Sequence, residues 1–589
     1  VTGKDITRRS ALGLAVVGTL AGCGLNTSST IRPGEPIDGP RPQPLSRTPN
    51  GPTPGATAEE VIRGFLRAGS TSGEGLEVTR SYLTQATAQG WIPDSQTVIY
   101  TGDLEVQDLG KGDYRVSARV VARINADARY LVSPPYDGAA FDFHVERVEG
   151  EWRIDELQEG FGRLLEEPEV DYIYREYPVH YPAIGWNALV VDQRWVTQDQ
   201  MATRLTRAQL GSIPSYLREA VSSDIGARLA VDAVPVRSGV AIVDLESESV
   251  ADDATARKRL AAQLVATLMS LPGVTEVAIT LSGAPLDLGV TAPLTSPEQL
   301  GFVDRTQTNE PTVLVRRGQK VVPADVRLTS VSAADVRQEE SPFPPLEPQW
   351  RLLALRPDGK EMAAVDAGRE HLHRVLDDGD YVHVGPFAAA MTRPCYDYGG
   401  VLWVGGSGLG REEGHRLWAI NSTVDPTNQA ESAPQHVPAQ WLGARFVQAA
   451  VVSPEGSRIA VISEDEPGTG SILEVSGIAR RANGLPTTTS PQGFRIGAEL
   501  VEMLDAVWVG QSTLAVIGRR DKQKDMQPYL VEVGGPVRAM TERKGAVAIT
   551  TTGDDQDVVI RTKKDRMFQR AGGRWQELKA IDGVVTAGV

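Results

Sequence analysis

Three kinds of hydrophobic pattern follow one another along the chain, and each predicts a different architecture. The first begins at Thr57. In TAEEVIRGFLRAG, residues Val61, Ile62, Phe65 and Leu66 recur at the spacing of one helical face. Thr57, with Glu60 three positions on, forms a capping box that serves the unpaired N–H groups of a helix start. LEVTRSYLTQATAQGW continues as a second helical run ending at Gly90. The period then drops to two. TVIYTGDLEVQDLGKGDYRVSARVVARINADARYLV alternates like strands, with turn signals at Gly102 and GKGD. FDFHVERVEGEWRIDEL reads as a hairpin about Glu149–Gly150.

The second pattern mixes strands and helices between about 170 and 290. YREYPVHYP and ALVVDQRWV read as short strands, and TQDQMATRLTRAQLG as a helix capped by Thr197 and ended by Gly211. SGVAIVDLES predicts a strand carried by Val240, Ile242 and Leu245. DDATARKRLAAQLVATLMSLPGV is an amphipathic helix with a stripe of Leu260, Leu264, Val265, Leu268 and Leu271, stopped by Pro272–Gly273. TEVAITLSGAPL is the next strand. This order predicts one sheet packed by helices on one face.

From about 305 onward no long amphipathic helix is predicted. Strand-rich runs recur instead: RLLALRPDGKEMAAVD, VLWVGG, QAAVVSPEGSRIAVIS, DAVWVGQSTLAVIG and GAVAITTTGDDQDVVIRT. Their spacing suits one four-stranded blade per repeat, hence about five complete blades. In RPDGK and SPEGS, proline presets φ and glycine supplies a positive φ, as a turn between two blade strands requires. TVLVRRGQKVVP, residues 312–323, predicts two outer strands that close the ring by pairing early with late strands, making six. Closure removes sheet edges that invite aggregation.

The start of the chain changes the picture. ITRRSALGLAVVGTLAGCGLN places two arginines before an apolar run of ten residues, Ala11–Leu20. A bilayer span needs about 20; a short run behind a basic patch suits an export signal. LAGC, Leu20–Cys23, resembles the lipobox of bacterial lipoproteins. That resemblance implies cleavage between Gly22 and Cys23, with S-diacylglycerol and N-palmitoyl groups on Cys23. TRRSALG resembles a twin-arginine export motif, with Ala11 where a large apolar residue is usual, so Sec and twin-arginine export both stay open. Residues 24–57 hold eight prolines between Pro33 and Pro54. Such a segment buries too little apolar surface to fold and acts as an extended spacer. The expected organisation is signal peptide 1–22, proline-rich tether 23–56, an α+β domain 57–165, an α/β domain 170–295 and an all-β propeller 305–589.

Charge and composition narrow the function. The net charge of −16 argues against nucleic acid as a partner, because phosphate binding needs clustered Lys and Arg. Two cysteines, Cys23 and Cys395, make no disulfide framework, and neither CxxC nor HExxH occurs. His371, His373 and His383 are the nearest histidine cluster, with His371 and His373 on one strand face; they read as surface histidines. His144 has no evident acid–base partner. GGSGLG, residues 405–410, follows a strand without opening a helix, and so reads as a flexible loop rather than a phosphate cradle. Glu412–Glu413 read as solvated, Cys395 as buried, and Trp403, Trp418 and Trp508 as core. No G-x-S-x-G elbow occurs, and no hydrolase domain is expected after the last blade. No enzyme, metal site or cofactor is predicted.

Family resemblances extend these readings. Helices followed by a curved sheet ending in G-x-W-x-I resemble the nuclear transport factor 2-like or cystatin-like α+β cone, in which His144 could line the cavity. SGVAIVDLESE, with RLAAQLVATLMSLPGVTEVAITLSGAPL, resembles the GerMN module of envelope and sporulation proteins, which implies binding or assembly. Asp244, its one tempting polar position, reads as a strand-end cap. The order lipobox, spacer, α+β domain, GerMN, propeller resembles the actinobacterial LpqB lipoprotein family. That resemblance implies a lipid-anchored protein on the extracytoplasmic face of the cell membrane. It would bind the extracytoplasmic domain of the sensor histidine kinase MtrB and tune phosphorylation of MtrA, with consequences for cell-wall homeostasis and division. The alternative is a cell-envelope glycan-binding or wall-processing protein.

Overall fold

The computed structural model describes residues 49–588, apart from short breaks at 72–74, 135–136, 224–225, 249, 251–252, 304–311, 332–339, 427 and 580. The signal peptide, Gly22, Cys23 and nearly all of the proline-rich segment lie outside the described residues.

Helix α1 (Ala58–Ala68) starts on the predicted capping box. The Thr57 hydroxyl accepts the Glu60 N–H, and the Glu60 carboxylate accepts the Thr57 N–H. Val61, Ile62, Phe65 and Leu66 are all buried. The second helical run breaks in two, α2 (Gly75–Arg80) and α3 (Gln85–Gly90). Between them Leu83 bridges to Ile154, and the Tyr82 ring lies against Gly64 of α1, leaving no room there for a Cβ. Strand pairing wins over local helix propensity at that point.

The helices pack on a sheet of β1 (Gln96–Gly110), β2 (Asp113–Asn125), β3 (Tyr130–Val132), β4 (Gly138–Val148), β5 (Glu151–Leu157) and β6 (Arg163–Glu166). Its order is β5-β4-β2-β1-β6, with β3 on β2 and only β6 parallel to its neighbour. The β4–β5 turn has positive φ at both Glu149 and Gly150, which matches the right-handed twist of a hairpin. Phe65, Trp91, Phe141, Phe143 and Phe161 interlock by edge and tilt contacts and centre this core.

After α4 (Val170–Ile173), the central region opens with the long hairpin β7 (Tyr174–Pro182) and β8 (Leu189–Thr197), paired throughout. Thr197 is the last residue of β8 rather than a helix cap; α5 (Met201–Gln209) is instead entered from Gln200 at φ 52°. A separate sheet holds β9 (Arg228–Leu229), β10 (Val236–Arg237), β11 (Val240–Glu246), β12 (Glu276–Leu281) and β13 (Ala284–Pro285), with β11 and β12 parallel. The single sheet expected from sequence is therefore two, since β7–β8 pairs with neither β11 nor β12. Helix α6 (Ala254–Leu268) packs against both, and its predicted stripe is wholly buried. Asp253 caps it by accepting from Thr255 and Ala256 N–H. On β11 the fully buried face is Ala241, Val243 and Leu245, one register step from Val240 and Ile242.

Five sheets follow, four of four strands and one of five, built on first strands Trp350–Leu355, Cys395–Tyr396, Phe446–Val452, Leu500–Trp508 and Ala546–Thr551. VLWVGG is the second strand of its sheet, not the first. The third sheet carries a fifth strand beside its outer edge. Strands Val313–Arg317 and Lys320–Ala324 join the late strand Gly583–Thr586 in a three-stranded sheet, so early and late segments pair. Successive first strands contact one another around a common centre, the succession of a propeller-like domain. The turns RPDGK and SPEGS sit between first and second strands, with Gly359 and Gly456 at φ 73° and 76°.

Candidate functional site

Two places gather unusual chemistry: the joint between the central region and the ring, and the middle of the ring. At the joint, one continuous core runs from Tyr181, Leu205, Leu264 and Val277 to Ala460, Leu473, Leu514 and Tyr529. The β7–β8 loop delivers Trp186 into a notch on the ring floored by Gly399 and Gly456. A Cβ on Gly456 would lie 2.8 Å from the indole, and one on Gly399 3.2 Å. The Arg480 guanidinium stacks on that indole at 4.4 Å, and Trp186 Nε1 donates to Ser457 Oγ at 3.1 Å. Arg480 itself pairs with Asp397 at 2.7 Å, both buried.

A buried polar seam runs beside this notch. Arg458 binds Glu455 at 2.7 Å and donates to the carbonyls of Val191 and Gln511. Asp192 pairs with Arg194 and accepts from Tyr216 Oη at 2.9 Å. Trp195 Nε1 donates to Gly534 O at 2.9 Å, and Gln193 to Ser512 Oγ at 2.8 Å. Each buried charge therefore has a partner, as a low-dielectric interior demands. At the edge of the joint, the Glu532 carboxyl is pushed up to about 8 by burial and then by Glu176 beside it, against the opposing pull of Arg538.

In the ring, a cavity of about 350 Å³ opens where the first, last and closing sheets meet. Arg316, Arg351, Arg393 and Arg561 line it, with Asp565 and Asp582. Arg393 crosses to Asp505 at 3.3 Å and to Ala506 O at 3.0 Å. The sequence offers no local signal for this cavity, because its arginines come from four separate strand or linker segments.

Gly22 and Cys23 lie outside the described residues. His144 sits on the face of β4 opposite Phe141, Phe143 and Val145, so it does not line the domain's core. It does have a partner: Nδ1 lies 2.7 Å from Asp155 Oδ1, which raises the imidazole pKa. Asp244 accepts from Thr280 Oγ1 at 2.6 Å and from Gly283 N–H at 2.9 Å, and these bonds hold its carboxyl below the usual range while it fixes the β12–β13 turn.

His373 and His383 face each other across a strand pair at 5.0 Å, and His371 stands 6.3 Å from His383. Trp350 covers His373, whose pKa is lowered by burial and by the other two histidines. Among the described residues no three His, Cys, Asp or Glu side chains are grouped to hold a metal. GGSGLG is packed rather than loose: Ser407–Gly408 pairs with Ala388–Ala389, and a Cβ on Gly408 would meet Glu412 O at 1.8 Å. Glu412 is not merely solvated either. It binds His415 Nδ1 at 2.5 Å, and His415 stacks on His436 at 3.5 Å. Cys395 is buried and its thiol is pushed up to about 12 by burial. Trp403, Trp418 and Trp508 are buried in cores.

Comparison with known proteins gives three matched domains in order. Residues 51–171 match the model described as Lipoprotein LpqB, N-terminal domain. Residues 179–287 match Germane, described as sporulation and spore germination, and residues 327–585 match the Lipoprotein LpqB beta-propeller domain. Proteins named Lipoprotein LpqB align along the length. One from Thermobifida fusca is 26% identical, covering 89% of this chain and 90% of its own. Others are from Cutibacterium acnes (24%, covering 90% and 89%) and Nocardia farcinica (25%, covering 98% and 96%).

Proposed function

We propose that this chain, which carries the domain series of the LpqB lipoproteins, is a lipid-anchored binding protein of the extracytoplasmic membrane face. Cys23 is the residue that carries the lipid, after cleavage at Gly22–Cys23. The partner we assign is the extracytoplasmic domain of an MtrB-like sensor histidine kinase, whose signalling the protein modulates. In fold terms, we assign the N-terminal domain to the nuclear transport factor 2-like cones and the ring to six blades.

The observation that carries the reading is the unbroken series: a lipobox, a proline-rich spacer, and three matched domains in the order shared with relatives named lipoproteins. The central region and ring share one close-packed core, which supports a common surface for docking. Among the described residues no helix is long and apolar enough to cross a membrane, so attachment in this reading rests on Cys23. The glycan-binding alternative loses its aromatic candidates, because sugar stacking needs exposed rings and Trp403, Trp418 and Trp508 are buried.

The test has two arms. Metabolic labelling with a palmitate analogue should mark the chain, and Cys23→Ala should abolish the label; retained label would end the lipid assignment. Biosensor titration of the purified kinase ectodomain should saturate at about micromolar concentration. Absence of binding there, with retention on purified peptidoglycan, would favour the glycan reading.

A further inference from the structure

The cavity in the middle of the ring is built for more than packing. Its volume lies at the low end of the range that holds small ligands, roughly 300–1,000 Å³. Leu352, Ile549, Met567 and Val584 give it apolar lining. It is also lined by arginines whose charges are unequally compensated. Arg393 is matched by Asp505 at 3.3 Å, and Arg561 by Asp565 at 3.1 Å. Arg351 reaches only the same Asp565, at 3.9 Å, with both side chains more than half exposed. Arg316 is buried and donates to the carbonyls of Gly318, Trp350, Leu346 and Glu347, which leaves one Nη1 N–H for a ligand; among the described residues no carboxylate lies within ion-pair distance of it. Asp582 is occupied by the Gly318 N–H at 2.7 Å. Burial, and then the neighbouring Arg351, hold the Arg316 pKa below its ordinary value, with Asp582 opposing.

Four guanidinium groups thus meet three carboxylates, Asp505, Asp565 and Asp582. The balance leaves about one positive charge in a cavity that apolar side chains also line. We infer that this cavity binds a small monocarboxylate carrying an apolar group, its carboxylate at Arg316 and Arg351 and its apolar part against Leu352, Ile549 and Val584. The Arg351 fork matches a planar carboxylate in geometry, and Arg316 adds its remaining Nη1 N–H and its charge. A dianionic phosphate would overshoot the available charge. The closing sheet contributes Arg316 and Val584 to the lining and the first sheet Arg351 and Leu352, so a ligand bound there ties the closing sheet to the first. The inference is independent of any kinase partner.

Such a carboxylate could be a free acid or the C-terminus of a peptide, and calorimetric titration of the full chain in detergent separates the two. The probes are hexanoate, hexylamine, hexyl phosphate, and N-acetyl-Ala-Leu as the acid and as the amide. We expect hexanoate and the dipeptide acid to bind at millimolar concentration or tighter and to raise the melting midpoint. Hexylamine and the amide should not bind, and hexyl phosphate should bind more weakly than hexanoate. A dipeptide acid bound at least tenfold tighter than hexanoate assigns a peptide terminus; the reverse order assigns a free acid. Because Arg316→Ala can fail to fold, the diagnostic variant is the half-exposed Arg351→Gln. It should weaken hexanoate at least tenfold while leaving the ligand-free melting midpoint unchanged. Equal binding of acid and amide, no binding of either acid, stronger binding of hexyl phosphate, or an unaltered affinity in Arg351→Gln would overturn the inference.

Discussion

The two joints of the molecule are made differently. Between the central region and the ring, one hydrophobic core crosses the boundary, and buried polar groups hydrogen-bond across it, Arg458 to Val191 O and Trp195 to Gly534 O. Between the N-terminal domain and the central region, each side keeps its own main core. The contact is a smaller cluster around Ile99, Tyr130, Tyr174 and Trp195. It is stitched by Thr97 to Tyr174 Oη at 2.6 Å, by Trp195 N–H to Ala128 O at 2.7 Å, and by Asp94, which holds both Arg163 and Arg204. Shared core makes folding units cooperative, whereas a polar seam over a small cluster lets a domain open alone. The central region and ring should therefore unfold together, and the N-terminal domain separately.

The hardest blow to that contrast is Arg458→Ala. It strands Glu455 in the core and removes the donor to Val191 O; breaking a buried pair costs about 3–5 kcal/mol. Urea unfolding followed by hydrogen exchange should show β7–β8 and the third and fourth ring sheets losing protection in one step, with α1 unaffected. Loss confined to the ring would break the comparison. Trp186→Ala comes next. It empties the glycine-floored notch and removes the Arg480 stack, at a cost of about 2–3 kcal/mol for this partly buried side chain. Faster exchange at 453–457 would report it.

The third effect is a dependence on pH. Glu532 titrates near 4.5 when unfolded and at about 8 in the joint. The folded state therefore holds a proton that the unfolded state releases. Its contribution to stability is complete below about pH 4.5 and is lost as pH rises through about 8. Raising pH from 6 to 8 should cost about 2 kcal/mol at the joint, a little under the 1.36 kcal/mol per pH unit of one full proton. Glu532→Gln, which keeps the neutral form, should flatten the melting-against-pH curve; an unchanged slope would assign the dependence elsewhere. The smallest effect is Thr97→Val, which takes one buried hydrogen bond from Tyr174 and costs about 1 kcal/mol. Limited proteolysis should then release the N-terminal domain sooner, leaving the melting of the ring unchanged.

Sequence reading succeeded where the determining contacts are short-range. The capping box at Thr57 and Glu60, the stripe on α6, the turn at Glu149–Gly150 and the proline–glycine turns of the ring all involve neighbours within a few positions. It failed where a partner arrives from elsewhere. LEVTRSYLTQATAQGW has the composition of one helix, yet Leu83 is drawn into a bridge with Ile154 and splits it. Alternation in SGVAIVDLES marks a strand, but with apolar residues on both phases only the packing of α6 picks Ala241, Val243 and Leu245 as the buried face. His144 lacked a partner on paper because Asp155 is brought beside it by the register of β4 on β5.

The same division holds for function. The sequence by itself raised the expectation of an anchor and a spacer and identified the Germane and propeller modules, because a lipobox, a proline run and a blade turn are local chemistry that needs no fold to be recognised. Only the tertiary structure decided that Trp186, 271 positions from Ser457, locks the central region to the ring. Only it decided that arginines from four distant segments face one cavity. The reason is physical: periodicity and turn chemistry record what a residue does to its own backbone, whereas a latch or a charged pocket exists only when loop closure brings remote segments into contact.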